Sequence, residues 1–172
     1  MTCDRPLAVR IFETPWGWVG LAAGPKGLVR VVLPGPRRRP DLDCLAGRGG
    51  RAPAPAPARA IAARAEREVR EYLAGRRRTF SVPVDLDGLP PFQRKVLLAE
   101  RRVPYGRTIT YGALAAKVGR PRAARAVGQA LAHNPVPLVV PCHRVIAAGG
   151  GLGGFGGGLA LKRRLLALEG AG

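Results

Sequence analysis

The short run Asp85-Leu86-Asp87-Gly88-Leu89-Pro90 constrains the fold most, because the texture of the chain changes across it. Before it, residues 7–13, 18–23 and 28–33 are runs of β-forming residues, punctuated by the turn signals Pro15-Trp16-Gly17 and Gly24-Pro25-Lys26-Gly27. Ile61, Ala65, Val69 and Leu73 then recur every four residues and predict a helix ending near Gly75. Residues 79–84 predict a further strand returning to the first sheet. Between sheet and helix, residues 34–59 hold Arg37-Arg38-Arg39, Gly47-Arg48-Gly49-Gly50 and an Ala-Pro repeat, a composition from which no packed core can be built. That stretch is expected to be a surface excursion. The fold class is therefore α/β, with a small sheet domain at 1–86 and a mostly helical domain at 87–172.

After Pro91 the periodicity becomes helical. Residues 92–102 form one predicted helix, and Pro104-Tyr105-Gly106-Arg107 a turn. Thr110 can cap a helix over 111–118, Gly119 stops it, and Pro121 stands where a first turn tolerates proline. Two short helices joined by a glycine turn suggest a helix-turn-helix, although a plain helical hairpin has the same pattern. In the second helix Ala123, Val127, Ala130 and Leu131 share the core face, leaving Arg122, Arg125 and Gln129 outside, beside the small Gly128 and Ala132.

Charge sharpens this reading. The 172 residues carry a net charge of +18, and only four of the 29 basic residues are lysine. A GC-rich genome can account for some of that arginine. It does not account for the distribution: after Glu100 a single carboxylate, Glu169, faces eleven basic residues. Such a segment is drawn to a polyphosphate whatever its sequence. No apolar stretch approaches the roughly 20 residues of a membrane span, the start lacks a secretory pattern, and three scattered cysteines do not make a disulfide framework. A cytoplasmic protein is expected.

Cys142 is the candidate nucleophile. The strand-like run Leu138-Val139-Val140 lies between Pro137 and Pro141 and delivers Cys142, His143 and Arg144 in succession. Only a thiolate attacks, and a neighbouring base and positive charge favour it; the alternative is a buried structural cysteine. Glu169 falls inside the apolar arc of the last helix and needs a partner, either Lys162 or His143. The glycine-dense run 149–158 folds through left-handed geometry, serves as a linker, or lets a planar ligand lie against bare backbone. His133 ends its helix.

The stretches Pro91-Phe92-Gln93-Arg94-Lys95-Val96, Ile109-Thr110-Tyr111-Gly112-Ala113-Leu114-Ala115, Ala123-Ala124-Arg125-Ala126-Val127-Gly128, Asn134-Pro135-Val136-Pro137 and Pro141-Cys142-His143-Arg144-Val145 together resemble the O6-alkylguanine-DNA alkyltransferase family, as do Gly157-Gly158-Leu159-Ala160 and the closing Leu165-Leu166-Ala167-Leu168-Glu169-Gly170. The amino-terminal strands resemble that family's ribonuclease-H-like domain more loosely, and the helical half its winged-helix-like helix-turn-helix. The resemblance implies direct, single-turnover transfer of an alkyl group from O6-alkylguanine in double-stranded DNA to Cys142, by a monomer without cofactor or metal. O4-alkylthymine is an additional candidate substrate. His143 would be the base, acting through a water. Glu169 would orient it, Asn134 would brace the turn, and Tyr111 would donate to the purine N3. Tyr111, Leu131, Val145, Phe155 and Gly156 would form the pocket. Arg125 would fill the place of a flipped nucleotide, with Arg122, Gln129, Ala124 and Thr110 also at the DNA.

Departures from the family are local. Phe155 stands where some members have tyrosine, Gly156 where some have serine, and Leu131 where some have methionine. The zinc site of certain members has no counterpart here, because both histidines, His133 and His143, lie outside the amino-terminal half. Three rivals share some of these residues: a lesion sensor that does not repair, a cysteine hydrolase using Cys142, His143 and Glu169, and a non-catalytic DNA-binding protein. Sensors of this kind usually carry tryptophan in place of Cys142, and the basic helical context suits DNA better than peptide.

Overall fold

The computed structural model describes residues 6–35, 40–41, 45 and 53–171. The chain divides into two compact units, Met1–Leu86 and Asp87–Gly172. The fold is mixed α/β, and no helix among the described residues is long and apolar enough to cross a membrane.

In the first unit, strands β1 (Ala8–Thr14), β2 (Gly17–Ala23) and β3 (Leu28–Gly35) form an antiparallel sheet in the order β1-β2-β3. The β1–β2 turn is locked by Thr14, whose hydroxyl donates to the Gly17 carbonyl at 2.7 Å and accepts from the Trp16 N–H at 3.1 Å. Gly17 is obligatory there: its φ is +108°, and a Cβ would lie 2.3 Å from the carbonyl oxygen of Gly35. Helix α1 (Ala56–Leu73) begins where Pro55 and Pro57 cost no intrahelical hydrogen bond. It packs Ala58, Ala62, Ala65, Val69, Tyr72 and Leu73 toward the core.

Two expectations for this unit fail. The excursion at 34–59 is shorter than expected, since Gly35 belongs to β3 and Ala56 opens α1. Within it, Leu45 is buried against Gly20, whose missing side chain makes the room. Its Arg37-Arg38-Arg39 and Gly47-Arg48-Gly49-Gly50 runs, like Cys3 and Cys44, lie outside the described residues. Residues 79–84 make only one bridge to the sheet, Leu28 with Val84. The reason is Glu68: its carboxylate takes the Ser81 and Val82 N–H groups at 2.9 and 3.1 Å, and Pro83 has none to give.

The second unit is built from α2 (Pro91–Glu100), β4 (Ile109–Thr110), α3 (Tyr111–Lys117), α4 (Ala124–Ala132), a 3₁₀ turn (Cys142–Arg144), β5 (Val145–Ile146) and α5 (Leu159–Glu169). Thr110 caps α3 by accepting from the Ala113 N–H at 3.1 Å, and Gly119 follows the helix at φ +77°. Helices α2, α3 and α4 pack on one another. Val127, Ala130 and Leu131 are buried, while Arg122, Arg125 and Gln129 are exposed. Pro121 does not open α4. It sits in the preceding turn, which the Ala123 N–H closes on the Arg120 carbonyl at 2.9 Å.

The run before Cys142 is a compact turn instead of a strand. Leu138 has φ +72°, a conformation costing a non-glycine residue about 1–2 kcal/mol. The turn is held by the Val140 N–H on the Val136 carbonyl and by Asn134. That side chain donates to the Val140 carbonyl at 2.9 Å and accepts from the Val136 N–H at 3.0 Å. Leu138 is itself buried, so packing and hydrogen bonds together impose the strained backbone.

Candidate active site

Strands β4 and β5 pair in parallel, Ile109 with Val145 and Thr110 with Ile146. That two-residue ladder ties the start of α3, carrying Tyr111, to the end of the turn carrying Cys142. The two residues line one cavity of about 780 Å³, within the roughly 300–1,000 Å³ usual for small-molecule sites. Leu131, Phe155, Gly156, Ala124 and Arg125 line it as well. Of the pocket residues expected, only Val145 is elsewhere: it is buried in β5 and is not among the cavity's lining residues. Ala147, Ala148 and Gly154 also line it. Nothing in their types distinguishes them, so their place in a wall could not be read beforehand.

Behind Cys142 lies a buried ionic cluster. His143 Nε2 is 2.9 Å from Glu169 Oε1, with both side chains excluded from solvent. Arg144 donates to the same carboxylate twice, from Nε at 2.9 Å and from its second terminal nitrogen at 2.8 Å, and to the Val103 carbonyl at 2.6 Å. The Gly106 N–H supplies a fourth bond at 3.1 Å. Gly106 has φ +73°, and a Cβ there would stand 2.9 Å from the Glu169 carbonyl, so only glycine fits this close approach. A carboxylate with four donors, two of them charge-assisted, is fully satisfied. Lys162, the other candidate partner of Glu169, instead donates to the carbonyls of Val145 (2.6 Å), Gly154 (3.3 Å) and Leu152. It thus staples the glycine-rich run to the nucleophile's side of the unit.

The electrostatics overturn one expectation. His143 and Arg144 do not make Cys142 acidic. Burial first, and then the charge of Glu100 when it is ionised, push its thiol up to about 12, against smaller opposing effects of an Asn134 hydrogen bond and the Lys162 charge. Arg144 is taken by Glu169, and burial holds His143 below the usual imidazole range despite that carboxylate. The site therefore pairs a protonated thiol with a neutral imidazole, so a thiolate must be made at the moment of reaction.

Tyr111 faces the cavity from the other side. Its hydroxyl donates to the Gly154 carbonyl at 3.4 Å, a long bond that is easily exchanged for another acceptor. Burial first, then the nearby Cys142, raises its pKa, so it is a proton-bearing donor near neutrality. Its ring lies on bare backbone: a Cβ at Gly153, where φ is +66°, would be 2.8 Å from it. Phe155 meets the His143 ring edge-on, with centroids 6.5 Å apart. His133 ends α4, its Nδ1 2.8 Å from the Gln129 carbonyl. No group of three or more metal-ligating side chains occurs among the described residues.

A family model described as the 6-O-methylguanine DNA methyltransferase, DNA binding domain, matches residues 91–171. The methylated-DNA–protein-cysteine methyltransferase of Mycolicibacterium paratuberculosis is 51% identical over 107 residues, 62% of this chain and 64% of that protein. The one from Methanosarcina acetivorans is 37% identical over 161 residues, 94% of this chain and 97% of that protein. The match thus spans under two thirds of the mycobacterial relatives' length and nearly all of the archaeal one. Among solved structures, Mycobacterium tuberculosis OGT in complex with DNA aligns with a TM-score of 0.76 at 36% identity, covering 95% of this chain and 92% of that one. The fold is that of these O6-methylguanine methyltransferase structures. The chain belongs to the methylated-DNA–protein-cysteine methyltransferase family.

Proposed function

We propose that this protein repairs double-stranded DNA by moving the alkyl group of O6-alkylguanine onto Cys142, once per molecule. The observation that carries the reading is the cysteine at the wall of a largely apolar cavity, with a neutral imidazole beside it in the chain and a phenol across from it. In the reaction the thiol proton passes to His143, by way of a water, and Glu169 stabilises the imidazolium that forms. The S–C bond forms as the C–O6 bond breaks, and the electron pair enters the purine. Tyr111 offers its hydroxyl to N3 as that charge develops, which is general acid assistance. The proton given up by the thiol is the one the restored guanine requires, so no cofactor or co-reactant is consumed. A thioether does not hydrolyse, and the protein is spent.

The target atom is buried in the base stack, so the nucleotide must swing out into the cavity. Helix α4 suits a close approach to the minor groove, since Ala124 and Gly128 add almost nothing to its outer face. Arg125 stands exposed at the cavity wall, and on this reading it fills the gap in the stack. Arg122 and Gln129 are exposed beside it and take backbone contacts, as does Thr110 at the head of α3. On this reading α3 and α4 are the helix-turn-helix of a winged-helix-like domain, and the amino-terminal unit is the ribonuclease-H-like domain. The protein works as a cytoplasmic monomer. The test is stoichiometry: with excess O6-methylguanine duplex, restored guanine should plateau at one per protein and be absent for Cys142→Ala. Continued turnover would contradict the reading, and binding without restored guanine would make the protein a lesion sensor.

A further inference from the structure

Glu100 closes α2, is fully excluded from solvent, and has no hydrogen-bond partner for either carboxylate oxygen among the described residues. The other buried acids are richly engaged: Glu68 by Ser81, Val82 and Arg64, and Glu169 by His143, Arg144 and Gly106. An unsatisfied buried carboxyl calls for an explanation, and the surroundings supply one. From the 3₁₀ turn, Cys142 and Arg144 are within electrostatic reach of Glu100, and from α5 so is Glu169. Arg144 has already committed its three donor nitrogens to Glu169 and Val103. The buried side chains of the helices packed against α2 are apolar, Leu114 and Ala115 from α3 and Val127, Ala130 and Leu131 from α4, while their Lys117 and Arg125 are exposed. The half-buried Tyr111 of α3 and the buried Lys162 of α5 act electrostatically on Cys142 rather than on Glu100.

We infer that Glu100 is a positioning residue for the nucleophile: neutral, it leaves Cys142 free to become a thiolate, and ionised, it opposes that thiolate across the dry interior. The inference rests on Cys142 as the alkyl acceptor and adds a control on its reactivity. The physical basis is that charges in a low-dielectric interior are screened weakly. A buried carboxyl without donors avoids that cost by keeping its proton, and burial does raise Glu100 well above the ordinary carboxylate range. While it keeps its proton the acid is silent. Once pH has risen far enough to ionise it, it holds back the thiolate that rising pH would otherwise promote.

The test is the rate at which iodoacetamide labels Cys142, resolved by peptide mass spectrometry, over about pH 6 to 11, for the wild-type chain, Glu100→Gln, Glu100→Leu and Glu100→Asp. Gln and Leu should match wild type at the acid end of that range and react several-fold faster at its alkaline end, while Asp keeps the wild-type curve. Superimposable curves for wild type and the neutral variants overturn the inference. Should neither neutral variant fold, the carboxyl ¹³C signal of Glu100 in the wild-type chain decides. A protonated carboxyl at pH 6 supports the inference, and a carboxylate already ionised there overturns it. Methyl transfer from an O6-methylguanine duplex, followed in parallel, separates the two readings. If curves diverge without methylation, the repair reading fails and the coupling stands; methylation with coincident curves means the reverse.

Discussion

Replacing Glu169 with glutamine removes one charge and leaves the shape of the buried cluster almost unchanged. It strands the Arg144 guanidinium, whose side chain is 6% exposed, with the Val103 carbonyl as its remaining acceptor at full strength. Removing one member of a buried ion pair costs about 3–5 kcal/mol. The Gly106 N–H keeps a weaker acceptor, so the lower half of that range is expected. Both tryptophans, Trp16 and Trp18, lie in the first unit, so their fluorescence would report on the wrong part of the chain. Native-state hydrogen exchange at residues 103–107 and 142–146 reads the right one. Protection there should fall by roughly two to three orders of magnitude, since about 1.4 kcal/mol is tenfold in an equilibrium constant. The double variant Glu169→Gln/Arg144→Met should recover much of the loss, because it leaves no stranded charge. A loss under about 1 kcal/mol in the single variant, or a double variant no better than Glu169→Gln, would refute the account of the cluster.

Further outcomes follow from the same geometry. Glu100→Leu should raise stability above about pH 5 and lose that advantage toward pH 4. A carboxyl raised in the folded state favours folding only below its unfolded pKa of about 4.3 and loses that contribution as pH rises toward its folded value; thermal melts across pH check this. Gly153→Ala should shift Tyr111 and slow methyl transfer at least several-fold, with only about 1 kcal/mol of destabilisation from the positive φ, seen in single-turnover rates beside melting. Lys162→Met frees three carbonyls of the 145–154 run and should make that run the first site of proteolytic cleavage. The logarithm of duplex affinity should fall with log salt at about −0.9 per phosphate neutralised. Arg122→Ala should make that slope shallower by about one contact, measured by titration at several salt concentrations.

Much of this site was legible because short-range rules govern it. Thr110 caps a helix whichever fold surrounds it, and the four-residue spacing in α1 and α4 marks their buried faces. The segment around Cys142 carries a motif whose partner, Glu169, betrays itself as a carboxylate on an apolar arc. What was not legible depends on long-range burial. Cys142 has a base and a cation as chain neighbours, yet its protonation is set by what surrounds it in space, and Arg144 spends its charge 25 residues away on Glu169. Glu100 carried a missed signal, lying four residues after Val96 and three after Leu97 on the buried stripe of α2. Residues 79–84 have strand composition, but the helix residue Glu68 captured their amides. Leu45 found a seat because Gly20 left one open.

The most direct test uses a duplex whose O6-methylguanine bears an isotopically labelled methyl group. After a single exposure, peptide mapping should find the label on Cys142 alone, in an amount equal to the guanine restored. Label released to solvent as methanol, or carried by Cys3 or Cys44, would contradict direct transfer to the thiol at the cavity wall.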